Sequence, residues 1–255
     1  MTLFVRPPVD SRLLRFVRCF WYCEQALPHG MERVLPTGAA QIVIDLNEPT
    51  HATTSSLIIG PQTSASLVET SAMRRAVGAA FRVGGAAPWI GGSCAALTDE
   101  AVDLQAVLGP GAGRLWHALM DANCSAEIVG TLERFLSRRL CGTALPNGAI
   151  RQSIRGLTQG QTVAAAIEAS GMARATFGRL FTREVGLSPK RWAGIARFQR
   201  AVRCLAEGAG PLADVAAACG YADQAHLTRA FRRYGGITPA AYRPRSTDAP
   251  NHLTA

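Results

Sequence analysis

The segment CGYADQAHLTRAFRRYGGITPAAYR, residues 219–243, has a weaker copy about fifty residues earlier, SGMARATFGRLFTREVGLSPKRW at residues 170–192. In each copy a glycine follows a short alanine-rich stretch, an amphipathic run comes next, and a Gly-x-x-Pro sequence closes the unit. A glycine directly after an apolar periodic stretch is typical of a helix end, and the amphipathic run predicts a second helix. The sequence therefore predicts two helix-turn-helix units on one chain.

The second helix of each predicted unit has an apolar face and a polar face. The apolar positions are Phe177, Leu180, Phe181 and Val185 in the first copy and Leu227, Ala230, Phe231 and Tyr234 in the second. The opposite face carries small, amide and arginine side chains, which are the types that approach base edges in the major groove. We expect base contacts from Arg174, Ala175, Gly178, Arg179, Gln224, Ala225, Thr228 and Arg229.

Charge is concentrated in the same half of the chain. The net charge is +9, yet residues 151–245 hold fifteen basic and five acidic side chains, so the rest of the chain is nearly neutral. Such an asymmetry indicates a partner that is a polyanion. Phosphate contacts, which position a protein on DNA without reading its sequence, are expected from Thr182, Arg183, Lys190, Arg191, Arg232 and Arg233.

One long helix is predicted between the two copies, over residues 188–208. As a rigid spacer it would hold the two second helices apart. If both helices reach successive major grooves, their separation must be about one turn of the duplex, roughly 34 Å.

The residues quoted above carry a family resemblance. LADVAAACGYADQAHLTRAFRRYGGITPAAYR, together with the region from about residue 155 onward, resembles the AraC/XylS transcription regulators. The resemblance implies an all-helical domain of two helix-turn-helix units, with double-stranded promoter or operator DNA and RNA polymerase as partners, and activation of transcription as a role. Activation and repression of transcription stay open as alternatives. The resemblance also implies that Ala175 and Gly178 occupy base-facing positions that larger side chains often hold.

The first hundred residues read as short apolar runs between turn residues, at 18–24, 40–46, 55–60, 65–70 and 74–83. Runs of this kind predict a small antiparallel barrel or sandwich, so the fold class expected for the chain is α+β. Helical stripes follow at 113–141, for which packing on the parent domain and a dimer seam are the two interpretations.

This half also resembles the sensor domain of one branch of the same family, through FWYCE, RVLPTGAAQIVIDL and IIGPQT. The resemblance implies a cupin-like barrel that binds a small effector and takes part in dimerisation. The polar and aromatic residues to search for an effector pocket are Trp21, Tyr22, Arg33, Gln41, Asp45, Arg82 and Trp89. We expect a sensing domain over 1–145, a DNA-binding domain over 150–245 and a disordered tail over 246–255.

The sequence lacks the motifs that indicate an enzyme or a metal-binding protein. The five histidines stand singly, and no Cys-x-x-Cys, P-loop or Gly-x-Ser-x-Gly occurs in a usable context, so no enzyme, metal or cofactor is expected. Seven cysteines are interpreted as reduced thiols of a cytoplasmic protein, with Cys19 and Cys23 on one strand face as a conceivable redox pair. The competing hypothesis is a ligand-binding or interaction protein whose basic half anchors non-specifically to DNA.

Overall fold

A computed structural model describes residues 2–24, 30–47, 56–69, 75–140, 147–208, 210–244, 246 and 249–254. The strands in this part of the chain are β1 (Thr2–Arg6), β2 (Val17–Glu24), β3 (Met31–Val34), β4 (Gln41–Asp45), β5 (Ser56–Ile59), β6 (Ser66–Glu69), β7 (Arg75–Phe81), β8 (Ala101–Asp103) and β9 (His252–Thr254). The five predicted apolar runs became β2, β4, β5, β6 and β7. Residues 141–146, just before the expected start of the DNA-binding domain, lie outside the described residues.

Six strands form one antiparallel sheet in the order β1-β2-β7-β4-β5-β8. Residues alternate across it, so that Phe20, Ile42, Ile44 and Phe81 are buried on one face. The helices α2 (Leu104–Leu108), α3 (Gly111–Met120) and α4 (Ser125–Arg139) share one hydrophobic core with that face. The other face is half-buried in β2 and β4 and buried only at Ala76 and Gly78 of the central strand β7, so β2 and β4 show the alternation of antiparallel strands.

The strands do not close into a barrel, which corrects the predicted cupin-like closure. The large sheet ends at β1 and β8, and a separate small sheet has the order β6-β3-β9. Barrel closure requires the first and last strands of one sheet to pair, and here β1 pairs only with β2 while β8 pairs with β5. The amino-terminal region is therefore β-rich, as predicted, but consists of two open sheets.

The helical stripes of α3 and α4 pack within the chain rather than forming a dimer seam. Leu115 and Leu119 of α3 and Ile128, Leu132 and Leu136 of α4 are all almost fully buried in the core beneath the large sheet. Their apolar surface is already removed from water, so it is unavailable for a second copy. The parent-packing interpretation is the one that the structure supports.

The carboxy-terminal region is entirely helical up to its last strand. Its helices are α5 (Gly148–Thr158), α6 (Val163–Ser170), α7 (Arg174–Val185), α8 (Pro189–Ala206), α9 (Leu212–Ala218) and α10 (Gln224–Gly235). The numbering starts in the amino-terminal half, where α1 is the four-residue helix Ala87–Ile90. The first helix-turn-helix unit is α6 with α7, and the second is α9 with α10. Helix α8 joins the units, as predicted.

The two halves of the chain share contacts that the predicted division did not contain. Leu35, from the amino-terminal half, lies in one core with Phe198 of α8 and Phe231 of α10. The amide nitrogen of Gln199 donates to the carbonyl oxygen of Pro36 at 2.8 Å. The carboxy-terminal tail, predicted to be disordered, instead contributes β9, which pairs with β3 because Leu253 has an apolar core to enter.

Candidate DNA-binding surface

The second helix of each unit begins and ends with local signals that the sequence carries. Asp223 is the N-cap of α10, and its carboxylate accepts a hydrogen bond from the backbone N–H of His226 at 2.6 Å. Gly171 ends α6 with φ 66°, a left-handed conformation that glycine adopts without a steric penalty. The turns between the paired helices are therefore fixed by the residues predicted to form them.

Packing orients both helices in the same way. Phe177 and Phe181 of α7 are fully buried in the core of the first unit, and Leu227 and Phe231 of α10 are fully buried in the core of the second. Fixing these positions turns the opposite face of each helix outward. Six of the eight predicted base-contacting side chains are exposed, and Gly178 and Thr228 are half-buried.

The outward arginines are not engaged by the protein itself. Within the described ranges, no hydrogen bond or ion pair joins the guanidinium group of Arg174, Arg179, Arg229 or Arg232 to another residue. Arginine is a planar donor of five N–H groups that suits guanine and phosphate. These side chains therefore keep their donors for an external partner.

A shallow depression of about 460 Å³ lies against α10. Its walls come from one face of the helix, and they are Gln224, Ala225, Thr228, Arg229 and Arg232. The Thr228 hydroxyl donates to the carbonyl oxygen of Gln224 at 2.9 Å, so it offers a partner an acceptor and a methyl group rather than a donor. Gln224, Arg229 and Arg232 are the donors of this face.

A second cavity, of about 550 Å³, lies between the two units. It is lined by the start of α6, by one side of α8 and by the end of α10, with Val163, Ala193 and Tyr234 as apolar walls. Its cations are Lys190, Arg191, Arg197 and Arg233, and none of the described residues that line it is acidic. Three of these four are predicted phosphate contacts, which the fold brings together.

Arg197 is a member of this set that the sequence analysis did not single out. It lies seven residues after Lys190 on α8, which is two helical turns and therefore the same face. Its guanidinium also lies 5.6 Å from the centre of the Tyr221 ring, so its stem is held in place. The spacing along α8 was the signal that could have found it.

Arg200, by contrast, is structural. Its guanidinium donates to the carbonyl oxygens of Thr158 and Cys219 at 3.1 and 3.3 Å, joining the end of α5 to the end of α9. These are helix-terminal carbonyls that lack intrahelical donors. The positive charge at this position serves the fold, and it is not available to a nucleic acid.

The predicted effector residues do not gather into one site. Tyr22 and Trp89 are buried on the helix-covered side of the large sheet, and the Trp89 indole donates to the carbonyl oxygen of Leu136. Arg82 is exposed and donates to the carbonyl oxygen of Leu14, so it does not face Asp45. The reason is strand alternation, which sends neighbouring residues to opposite faces.

The other predicted effector residues are distributed as follows. Trp21, Gln41 and Asp45 share the second face of the large sheet, where the Trp21 ring lies over Gly78. Arg33 points to the end of α10, its Nη1 donating to the carbonyl oxygen of Gly235 at 3.4 Å. Three of the seven residues therefore lie on one surface, and Arg33 belongs to the boundary with the second helix-turn-helix unit.

Cysteines and metal ligands take no part in the basic surface. No disulfide joins the cysteines in the described part of the chain, and no group of three metal-ligating side chains occurs among those residues. Cys19 and Cys23 are four residues apart on β2, about 13 Å, whereas a disulfide needs Cα atoms within about 7 Å. A disulfide within this pair is therefore excluded.

A buried carboxylate lies at the end of α7. Burial raises the pKa of Glu184, against hydrogen bonds from the backbone N–H of Asn147 at 3.2 Å. Because the pKa of Glu184 is higher in the folded state than in the unfolded state, stability is lost as the pH rises from the ordinary pKa of 4.5 through the folded-state pKa.

We expect Glu184→Gln to lose less stability than the wild type over this pH range. Urea unfolding at several pH values measures the free energy of unfolding, and substitution of the exposed Glu168 by Gln is the control. An equal pH dependence of stability in the wild type and in Glu184→Gln would contradict the expectation.

Comparisons with known proteins match two separate parts of the chain. Residues 167–245 match the family described as a helix-turn-helix domain, and residues 6–103 match a family described as a domain of unknown function. No helix of the described residues is both long enough and apolar enough to cross a membrane.

Similar proteins include the probable transcriptional regulator LumQ of Photobacterium leiognathi, 34% identical over 71 residues, which are 28% of this chain and 29% of that protein. A putative AraC-like transcription regulator of Streptomyces antibioticus is 35% identical over 82 residues, 32% of this chain and 27% of that protein. The chain thus spans less than a third of the length of these relatives.

Among solved structures, ToxT from Vibrio cholerae O395 is 11% identical, with 94% of this chain and 95% of that chain covered and a TM-score of 0.42. The C-terminal domain of AraT from Geobacillus stearothermophilus is 20% identical, with 39% and 87% covered and a TM-score of 0.37. By these matches, residues 167–245 are similar to helix-turn-helix domains, including that of a putative AraC-like regulator, and residues 6–103 are similar to a family without an assigned function.

Proposed function

We propose that the chain is a sequence-specific DNA-binding regulator of transcription that docks α7 and α10 in adjacent major grooves of one duplex. The observation that carries the proposal is the pair of equivalent helices, each with its apolar face buried and with two outward arginines (Arg174 and Arg179; Arg229 and Arg232) that form no hydrogen bond or ion pair with the described residues. The basic cavity between the units supports it, because the backbone of a duplex that bridges two grooves must pass between the two helices.

The two helices differ in what they offer to bases. Helix α10 presents Gln224 and Arg229, which suit adenine and guanine, whereas α7 presents Ala175 and Gly178 beside its arginines. We infer that α10 supplies most of the sequence readout and that α7 supplies more of the positioning. A single chain then covers both grooves without a second copy.

The proposal extends to partners and location. We propose that the amino-terminal domain binds a small-molecule effector and that the chain acts in the cytoplasm. RNA polymerase and a second copy of the chain are its proposed protein partners. They are supported by the family resemblance of the sequence and by the absence of a membrane-crossing helix among the described residues. No catalytic step is assigned to the chain.

Selection of genomic fragments by the purified full-length protein tests the proposal. A regulator of this kind enriches a shared sequence motif with two parts about one helical turn apart. Enrichment of all fragments alike would instead support the competing hypothesis, in which the basic half is a non-specific anchor. The same experiment identifies the regulated genes, and through them a class of effector to try.

Two arginines on α10 provide a matched pair of substitutions. Arg229→Ala is expected to cost about 1–3 kcal/mol of binding free energy on the selected site and to relax the preference at one base pair. Arg233→Ala, at the rim of the basic cavity, is expected to weaken binding to all sequences alike. Titration of both variants against the selected site and a scrambled duplex measures this. Equal losses on both duplexes for Arg229→Ala would remove it from base readout.

A further inference from the structure

The amino-terminal domain touches both DNA-binding units at equivalent places. Helix α7 ends at Gly186 with φ 89°, and α10 ends at Gly236 with φ 67°, fifty residues later in the repeat. The last four carbonyls of a helix lack intrahelical donors, and each of these glycines satisfies one carbonyl near its helix end, since the Gly186 N–H donates to Thr182 and the Gly236 N–H to Arg232. At both ends the amino-terminal domain supplies donors to these carbonyls or to their neighbours.

At the first unit the contact is made by the segment that follows the short 3-10 helix Cys94–Leu97. The Thr98 hydroxyl donates to the carbonyl oxygen of Gly186 at 2.7 Å. Gly186 is itself buried, and a methyl group there would lie 2.9 Å from Cγ of Pro61 and 3.0 Å from the carbonyl oxygen of Cys94. The end of α7 is therefore closely seated on the amino-terminal domain.

At the second unit the contact is made by the loop between β5 and β6. The backbone N–H of Ala65 donates to the carbonyl oxygen of Tyr234, near the end of α10, at 2.7 Å. Ala65 also packs against the core that contains Phe198 and Phe231. The Arg33 guanidinium adds a positive charge beside this helix end, which is the favourable sign for a helix C-terminus.

The two contacts belong to one hydrogen-bonded loop pair. The carboxylate of Asp99 accepts from the backbone N–H and from the hydroxyl of Thr63, both at 2.6 Å, and the Asp99 N–H donates to the carbonyl oxygen of Pro61 at 3.1 Å. The loop 61–65, which reaches α10, is thereby tied to the segment 98–99, which reaches α7. We call these residues, 61–65 with 98–99, the loop clamp.

Asp99 holds an unusual backbone conformation at the centre of the loop clamp. Its φ of 61° is the only positive value among the described residues that are not glycine. A left-handed non-glycine residue costs free energy, and aspartate tolerates it better than most because its side chain can bond locally. The three hydrogen bonds with Thr63 and Pro61 are what hold it there.

We infer that the loop clamp sets the separation and relative rotation of α7 and α10, and so the number of base pairs between the two half-sites that the chain accepts. The inference rests on the proposed function. Helix α8 is one connection between the units, and the loop clamp is a second connection that makes the pair rigid. Thr98 and Asp99 are thus positioning residues, which touch no base but restrict the spacing of the DNA that binds.

Half-site spacing is the quantity that tests this inference. One inserted base pair moves the second half-site by about 3.4 Å and rotates it, so a rigid pair of helices cannot engage both grooves. With the full-length wild type, we expect one inserted or deleted base pair in the selected site to weaken binding roughly tenfold or more. In Asp99→Ala the penalty is expected to fall to about threefold or less, with broader spacing after a new round of selection.

Three further variants make the outcome decisive. Asp121→Ala removes an exposed acid from the end of α3 and should keep the wild-type spacing penalty. Asp99→Asn keeps one acceptor oxygen and should restore most of the penalty. Thr98→Val replaces the hydroxyl that donates to Gly186 by a methyl group, and so removes the contact with the end of α7. It takes the place of Asp99→Ala if that variant melts at a much lower temperature than the wild type.

The possible failures are distinguishable. If the wild type selects no bipartite site, the proposed function itself is wrong. If the wild type shows a strict spacing and both Asp99→Ala and Thr98→Val keep it unchanged while folded, DNA binding stands and the role of the loop clamp is overturned.

Discussion

Raising the salt concentration from 50 to 200 mM is expected to weaken binding of this protein to duplex DNA roughly 500-fold, because its phosphate contacts release condensed counterions. The estimate counts five cations, Arg183, Lys190, Arg191, Arg232 and Arg233, all of them exposed. At about −0.9 per contact, the slope of log affinity against log salt is about −4.5. Fluorescence anisotropy with a labelled duplex at four salt concentrations measures this slope.

Single substitutions measure how much each basic residue contributes to the slope of log affinity against log salt. Lys190→Ala, in the wall of the basic cavity, is expected to make the slope shallower by about one. Arg138→Ala, on the exposed side of α4, changes the net charge by the same amount and should leave the slope unchanged. A shallower slope in both variants would mean that net charge alone, rather than contact with phosphate, sets the salt dependence. A wild-type slope near zero would contradict the basic surface as a DNA contact.

Leu35→Ala is expected to lower the free energy of unfolding by about 2–5 kcal/mol, although Leu35 lies in the amino-terminal half of the chain. Its side chain is 1% exposed in the core of the second helix-turn-helix unit, and its backbone N–H donates to the carbonyl oxygen of Asn251 at 2.8 Å. Truncation to alanine leaves a cavity beside Phe231. Urea unfolding followed by circular dichroism measures the loss.

Leu67→Ala is the matched control for this substitution. Leu67 lies on the neighbouring strand β6, opposite Arg33, and is 55% exposed, so its truncation should change stability by only about 0.5 kcal/mol or less. A loss for Leu35→Ala as small as that for Leu67→Ala would show that the two halves do not share a core. A large loss limited to Leu35→Ala would mean that the second unit depends on the amino-terminal domain for its stability.

The parts of the fold that the sequence predicted are those with strong local periodicity. The two units, the long helix between them and five strands follow from repeats of 3.6 or two residues, which depend on neighbours in the chain. The strands β1, β3, β8 and β9 were not predicted. Strand β9 exists only through pairing with β3, more than 200 residues earlier.

The candidate site was also predictable only in part. The faces of α7 and α10 were predictable, since burying Phe177 or Phe231 determines where the rest of an ideal helix points. The effector residues could not be assigned, because a pocket depends on which sheet faces meet. Trp89, an aromatic residue like many that line pockets, is instead 5% exposed in the core, against Phe16 and Phe81.

The sequence by itself determined that this protein carries two helix-turn-helix units with outward arginines, because each unit is specified by capping and periodicity within about twenty residues. Only the tertiary structure decided that Thr98 and Ala65 of the amino-terminal domain bond to the ends of both outward helices. Helix-end carbonyls accept any nearby donor, and which donor is near depends on how two domains pack, a property that no local pattern encodes.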